Sequence, residues 1–121
     1  MEFKSSIPIY QQVIEEIKKE MVSGRLKPGD KLPSSRELAI KYAINPNTAA
    51  RVYSEMESMG LSYTKRGIGT FVVENTEVIR DLKEEIIERQ FKELDEQLSM
   101  LGYRPEEIVD MLRNYYEMNG K

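Results

Sequence analysis

Asn47 and Arg51 stand four residues apart, one helical turn, behind an Asn45-Pro46 pair of the kind that opens a helix. An amide and a guanidinium so spaced leave one helix face together. Asn can pair bidentately with an adenine edge and Arg with a guanine edge, each contact giving about 1–3 kcal/mol of discrimination between bases. Thr48 beside them is short enough to reach a groove floor or a phosphate. A second set, Ser34-Ser35-Arg36, puts hydroxyls and a guanidinium at a helix start, where unpaired amides and the dipole favour phosphate. A third, Lys65-Arg66-Gly67-Ile68-Gly69, sets two cations beside glycines that allow close backbone approach, which suits phosphates or a minor groove.

Catalytic chemistry has no such foothold. The 121 residues include no Cys, no His and no Trp. That excludes a thiol nucleophile, an imidazole base, a disulfide framework and a Cys/His zinc site. Carboxylates are plentiful, yet they fall on helical faces without a phosphate-cradling glycine loop, a metal-ligand cluster or a nucleophile arrangement. We therefore expect no enzyme, no cofactor and no metal. Apolar runs never exceed three residues, and the first residues lack a signal peptide's apolar core. A soluble, cytoplasmic protein with no membrane partner is the expectation.

The elements that must position these residues are legible in order. A first helix runs from about Pro8 to Ser23, with Tyr10, Val13, Ile14, Ile17 and Met21 at helical spacing and Gly24 as its stop. Pro28-Gly29 reads as the centre of a type II turn. Ser34 and Glu37 have capping-box spacing and open a short second helix, ending near Tyr42, with Leu38, Ala39 and Tyr42 inward. Ala43-Ile44-Asn45 is a three-residue turn. The third helix then runs to about Met59, burying Ala49, Val52, Tyr53 and Met56 and exposing Asn47, Ala50, Arg51, Ser54 and Ser58. Two helices joined this way form either an ordinary helical hairpin or a helix-turn-helix. Leu61–Lys65 and Thr70–Val73 read as two strands around a glycine-bearing loop, a wing directly after the recognition helix. Bland roles compete at several positions: Asn45 and Ser34 as caps, Arg51 in an i,i+4 pair with Glu55, and Arg25, Lys27 and Lys31 as solvated loop charges.

Charge divides the chain at the same place as composition. The formal net charge is −3, which by itself argues against a nucleic-acid partner. Residues 1–75 carry 11 basic and 9 acidic side chains, a net of +2; residues 76–121 carry 7 and 12, a net of −5. Between Thr76 and Leu101 there is neither Gly nor Pro. We read a winged helix-turn-helix over 1–75 and a two-helix tail over 76–121, a mainly α fold with one small β-hairpin. Ile79, Leu82, Ile86, Phe91, Leu94 and Leu98 of the first tail helix, and Ile108, Leu112 and Tyr115 of the second, form apolar stripes that need a partner surface. A second copy of the tail is the economical partner; folding back onto the head is the other.

Gly24-Arg25-Leu26-Lys27-Pro28-Gly29-Asp30-Lys31-Leu32-Pro33-Ser34-Ser35-Arg36-Glu37-Leu38-Ala39, then Asn45-Pro46-Asn47-Thr48, then Gly67-Ile68-Gly69-Thr70-Phe71-Val72, resemble the GntR family of bacterial transcription regulators. The likeness covers nearly all of residues 8–73 and implies a winged helix-turn-helix. Pro46 and Ala50 stand where many members carry arginines. The Asn-Pro-Asn-Thr run is similar to the YtrA-type branch, whose members have only a short helical tail and dimerise. The resemblance also supports Arg36 as a DNA contact. From all this we expect a homodimeric, sequence-specific regulator, a repressor acting on a palindromic double-stranded operator. The alternative is a winged-helix protein-protein adaptor. Neither an operator sequence nor a small-molecule effector can be read from these residues.

Overall fold

The computed structural model describes residues 1–120 and contains five helices and one β-hairpin. In chain order these are α1 (Ile9–Ser23), α2 (Ser35–Tyr42), α3 (Pro46–Ser58), β1 (Ser62–Lys65), β2 (Gly69–Val72), α4 (Thr76–Met100) and α5 (Pro105–Met118). They pack as two units, Met1–Lys83 and Glu84–Lys121. The division falls within α4, so its first two turns go with the head, eight residues beyond the boundary expected from composition.

The first unit has a real core. Val13, Ile14, Ile17 and Met21 of α1, Leu38 and Ala39 of α2, Ala49, Val52, Tyr53 and Met56 of α3, and Leu61 and Val72 around the hairpin are all buried. Apolar residues three and four apart create these faces, and helical packing gives the stripes something to bury against. Gly24 closes α1 in the left-handed region at φ +86. Ser34 and Glu37 form the expected capping box: the Glu37 amide donates to Ser34 Oγ at 3.1 Å, and the Ser34 amide to Glu37 Oε1 at 2.9 Å. Ala43, a non-glycine, ends α2 at φ +53, a conformation with a steric cost for a Cβ.

The hairpin is tighter than expected and has company. Lys65 pairs with Gly69, so the loop is Arg66-Gly67-Ile68, and the first strand begins at Ser62 rather than Leu61. The loop before α2 also joins the sheet. The Leu32 amide donates to Thr70 O at 2.8 Å and the Val72 amide to Asp30 O at 2.8 Å, with a bridge between Lys31 and Phe71. Residues 30–32 thus run along the outer side of β2 through a single bridge, a pairing too short to be legible beforehand.

A buried glutamine shapes the start of the chain. Gln12 donates from Nε2 to the Lys4 and Ile7 carbonyls, each at 2.8 Å, and accepts from the Lys4 amide at 2.8 Å. The segment ahead of α1 is therefore a folded hook.

The second unit is different. Among the described large apolar residues from Glu84 to Gly120, only Ile108 is buried. Ile87, Phe91, Met100, Leu101, Tyr103, Val109, Tyr115, Tyr116 and Met118 are all exposed. No helix among the described residues is long and apolar enough to cross a membrane.

Candidate nucleic-acid interface

The third helix presents its polar face as its spacing predicts. Asn45 is the N-cap, its Oδ1 accepting from the Asn47 amide at 2.7 Å, and Pro46 is the first helical residue. Its capping role is met by this bond. Asn47, Ala50, Arg51 and Ser54 are exposed and Thr48 is half-buried. Within the described residues, no hydrogen bond or ion pair engages the side chains of Asn47, Thr48, Arg36 or Arg66, so their polar groups are available to a ligand.

Arg51 is held. Its Nε lies 3.9 Å from Glu55 Oε1, the pairing anticipated from sequence. Its guanidinium carbon also lies 3.9 Å from the centroid of the Tyr10 ring on α1. That second partner is 41 positions away, and neither periodicity nor motif spacing signals it.

The start of α2 is tied to α3. Tyr53, buried on α3, donates from Oη to the Pro33 carbonyl at 2.5 Å, one residue before the Ser34 cap. Burial, aided by the nearby Tyr42 and Glu37, raises the phenol's pKa far above its ordinary value, so it remains a donor. Ser34 is exposed as the cap, Ser35 is half-buried in the first turn, and Arg36 is exposed. Hydrogen bonds from the Ser34 amide and hydroxyl system, with a smaller contribution from Lys31, lower the Glu37 pKa and keep the carboxylate ionised. Tyr53→Phe is expected to cost about 1–3 kcal/mol of stability, because the Pro33 carbonyl loses its donor. Thermal unfolding of the variant measures this; an unchanged midpoint would show that water replaces the phenol at no cost.

The wing borders the same region. A groove of about 350 Å³ is lined by Ser34 and Ser35 of the α2 start, by Lys31, and by Lys65, Gly67 and Gly69 of the hairpin. Lys65 reaches over the stacked Tyr63 and Phe71 rings, its ammonium 5.1 Å from the Phe71 centroid. Arg66, Gly67 and Ile68 form the exposed tip. The two glycines differ. A Cβ on Gly67 would meet nothing within 4 Å, whereas one on Gly69 would come within 2.7 Å of Lys31 Cε. The space at Gly69 is occupied by the Lys31 side chain, so this lysine, read from sequence as a solvated loop charge, lies along the wing. Glu57 of α3 fixes the hairpin from the other side, accepting from the Thr64 amide at 3.0 Å.

The apolar stripes of the tail are only partly covered within the chain. Leu82 and Ile108 are already buried. Ile79, Ile86, Leu94, Leu98 and Leu112 are half-buried. Phe91 is 62% exposed and Tyr115 56%.

Comparison with known proteins agrees with this geometry. The family model of bacterial regulatory proteins of the gntR family matches residues 9–72. The HTH-type transcriptional regulator YhcF of Bacillus subtilis is 41% identical over 116 residues, covering 96% of this chain and 96% of that protein. The HTH-type transcriptional repressor YtrA of the same organism is 39% identical over 111 residues, covering 91% and 85%. A GntR family transcriptional regulator from Listeria monocytogenes superposes with a TM-score of 0.86 at 37% identity, over 93% of this chain and 98% of that one. The DNA-binding domain of AraR in complex with operator ORX1 superposes at 0.55 with 32% identity, over 60% and 90%. These relatives are transcriptional regulators and not enzymes. A full-length match in sequence and in fold, joined to a wing and a polar recognition face in the expected order, places the chain in the GntR family of bacterial regulatory proteins.

Proposed function

We propose that the protein is a cytoplasmic transcriptional repressor that binds a palindromic operator as a homodimer. The first unit holds double-stranded DNA. Asn47 and Arg51 read bases, with Thr48 against the groove floor or a phosphate. Ser34, Ser35, Arg36 and Asn45 hold the backbone near the helix starts, and Lys65, Arg66, Gly67 and Gly69 serve the wing. The observation that carries this reading is the groove shared by the α2 start and the wing, where the hydroxyls of Ser34, Ser35, Thr64 and Thr70 meet the ammonium groups of Lys31 and Lys65, with the Glu37 carboxylate, already capping α2, also on its lining. The operator complex of the related AraR domain supports it, and the similarity to the transcriptional repressor YtrA supports repression.

Dimerisation proceeds through the tail, with Ile79, Leu82, Ile86, Phe91, Leu94, Leu98, Ile108, Leu112 and Tyr115 on the apolar faces of α4 and α5. A unit in which Phe91, Tyr115 and Met118 remain open to water lacks a core of its own. The acidity of the tail keeps it from competing with the head for DNA.

Two substitutions separate base reading from phosphate contact. Asn47→Ala is expected to weaken binding to the preferred duplex by about 1–3 kcal/mol while leaving unrelated duplexes unchanged. Lys65→Ala is expected to weaken all duplexes alike and to lower the slope of log affinity against log salt by about one. Titrations over a salt series measure both. Equal effects of the two variants on all sequences would contradict the assigned roles, and a response flat in salt would favour a protein-protein adaptor.

A further inference from the structure

We propose that Tyr10 is a positioning residue that sets base specificity by orienting Arg51. This rests on the base-reading role given to Arg51 above. The two side chains come from different helices, α1 and α3, and meet with the guanidinium carbon 3.9 Å from the ring centroid. At that distance the planar cation lies on the π face of the phenol, where the ring quadrupole attracts it. Arg51 is otherwise a long, exposed side chain. Such a side chain must immobilise its torsions when it docks on a base edge, and a partner that holds the plane beforehand removes part of that loss.

The geometry also leaves the useful part of Arg51 free. With its central carbon 3.9 Å from the ring centroid, the guanidinium meets Tyr10 through its π contact, whereas bidentate pairing with guanine O6 and N7 uses the terminal N–H groups. The ring and a base can therefore engage the cation at once. Glu55 at 3.9 Å from Nε is a long contact on that edge, too weak at an exposed site to anchor the plane alone. Tyr10 is half-buried at the second residue of α1, and α1 is fixed through Val13, Ile14 and Ile17 in the core. The ring is thus a rigid platform attached to a helix that does not itself carry the recognition face.

The test uses the full-length protein, a duplex selected by it from a random pool, and the set of single base-pair variants of that duplex. Tyr10→Ala and Tyr10→Leu should each reduce discrimination at one base pair per half-site by about 3- to 10-fold, with unrelated duplexes bound as by the unaltered protein. Tyr10→Phe, which retains the ring, should keep full discrimination. Arg51→Ala should flatten the same base pair, and Tyr10→Ala added to it should have no further effect. Melting curves of the five variants confirm that each is folded, and Leu supplies the packing volume without the π face. If Tyr10→Leu keeps full discrimination, or Tyr10→Ala raises it, or the two losses add, the proposal is wrong while base reading by Arg51 stands. If Arg51→Ala leaves every base pair as it was, the base-reading role fails and the proposal falls with it.

Discussion

A protein carrying Phe91→Glu with Leu98→Glu is expected to be a monomer and to bind its operator at least about 100-fold more weakly, while its head melts as before. The reasoning starts from what the second unit lacks. Phe91 is 62% exposed in the single chain and Leu98 half-buried, so neither substitution empties a core within the chain. Both residues lie on one face of α4, two helical turns apart. Placing carboxylates there in a tail that already holds 12 acidic groups sets like charges against each other across a symmetric interface. Losing the second head removes the effective-concentration gain of a linked site, about 10²- to 10⁴-fold when geometry permits both heads to engage. Light scattering gives the mass and a DNA titration gives the affinity. A monomer that binds as tightly as the unaltered protein would show that one head suffices, and a dimer would show that the tail is not the interface.

Ile14→Ala is expected to have the largest effect on the head itself. Ile14 is 2% exposed, at the centre of α1. Removing its three outer carbons from a packed site costs about 2–5 kcal/mol in lost transfer energy and residual cavity. Against a total of about 5–15 kcal/mol for a domain, that is a large fraction. The midpoint of thermal unfolding should fall by at least about 10 °C. DNA binding should fail at the temperature where the head unfolds and return on cooling, because Ile14 itself is buried in the core and takes part in no surface. A drop in affinity that persists in the cold, with the fold intact, would place α1 in the interface rather than behind it.

The elements of the head were legible because local rules and global packing agree there. Ser34 and Glu37 announce their capping box, Asn45-Pro46 announces α3, and the spacing of Ala49, Val52, Tyr53 and Met56 gives its buried face. What sequence could not supply was pairing across distance. Tyr10 reads as one more apolar position on α1, and only the folded chain puts its ring against Arg51. Lys31 reads as a loop charge until residues 30–32 join the sheet and its side chain fills the space over Gly69. Gln12, of a residue type mostly found exposed, is buried by the chain it clamps. Ala43 takes a left-handed φ that composition would have assigned to glycine. In the tail the stripes were visible, but Leu82 belongs with the head unit, since a continuous helix carries no mark where one packing unit ends.

Net charge illustrates the same point. A value of −3 describes the tail more than the working surface. The head's +2 is small, so the proposed DNA binding calls for affinity from where Arg36, Arg51, Lys65 and Arg66 lie and from two heads used together.

Selection of duplexes from a random pool by the full-length protein tests the central claim most directly. The account predicts enrichment of two inverted half-sites whose centres lie about 10 base pairs, or a multiple of that, apart. A pool that stays unenriched, or that yields a single unpaired half-site, would contradict it.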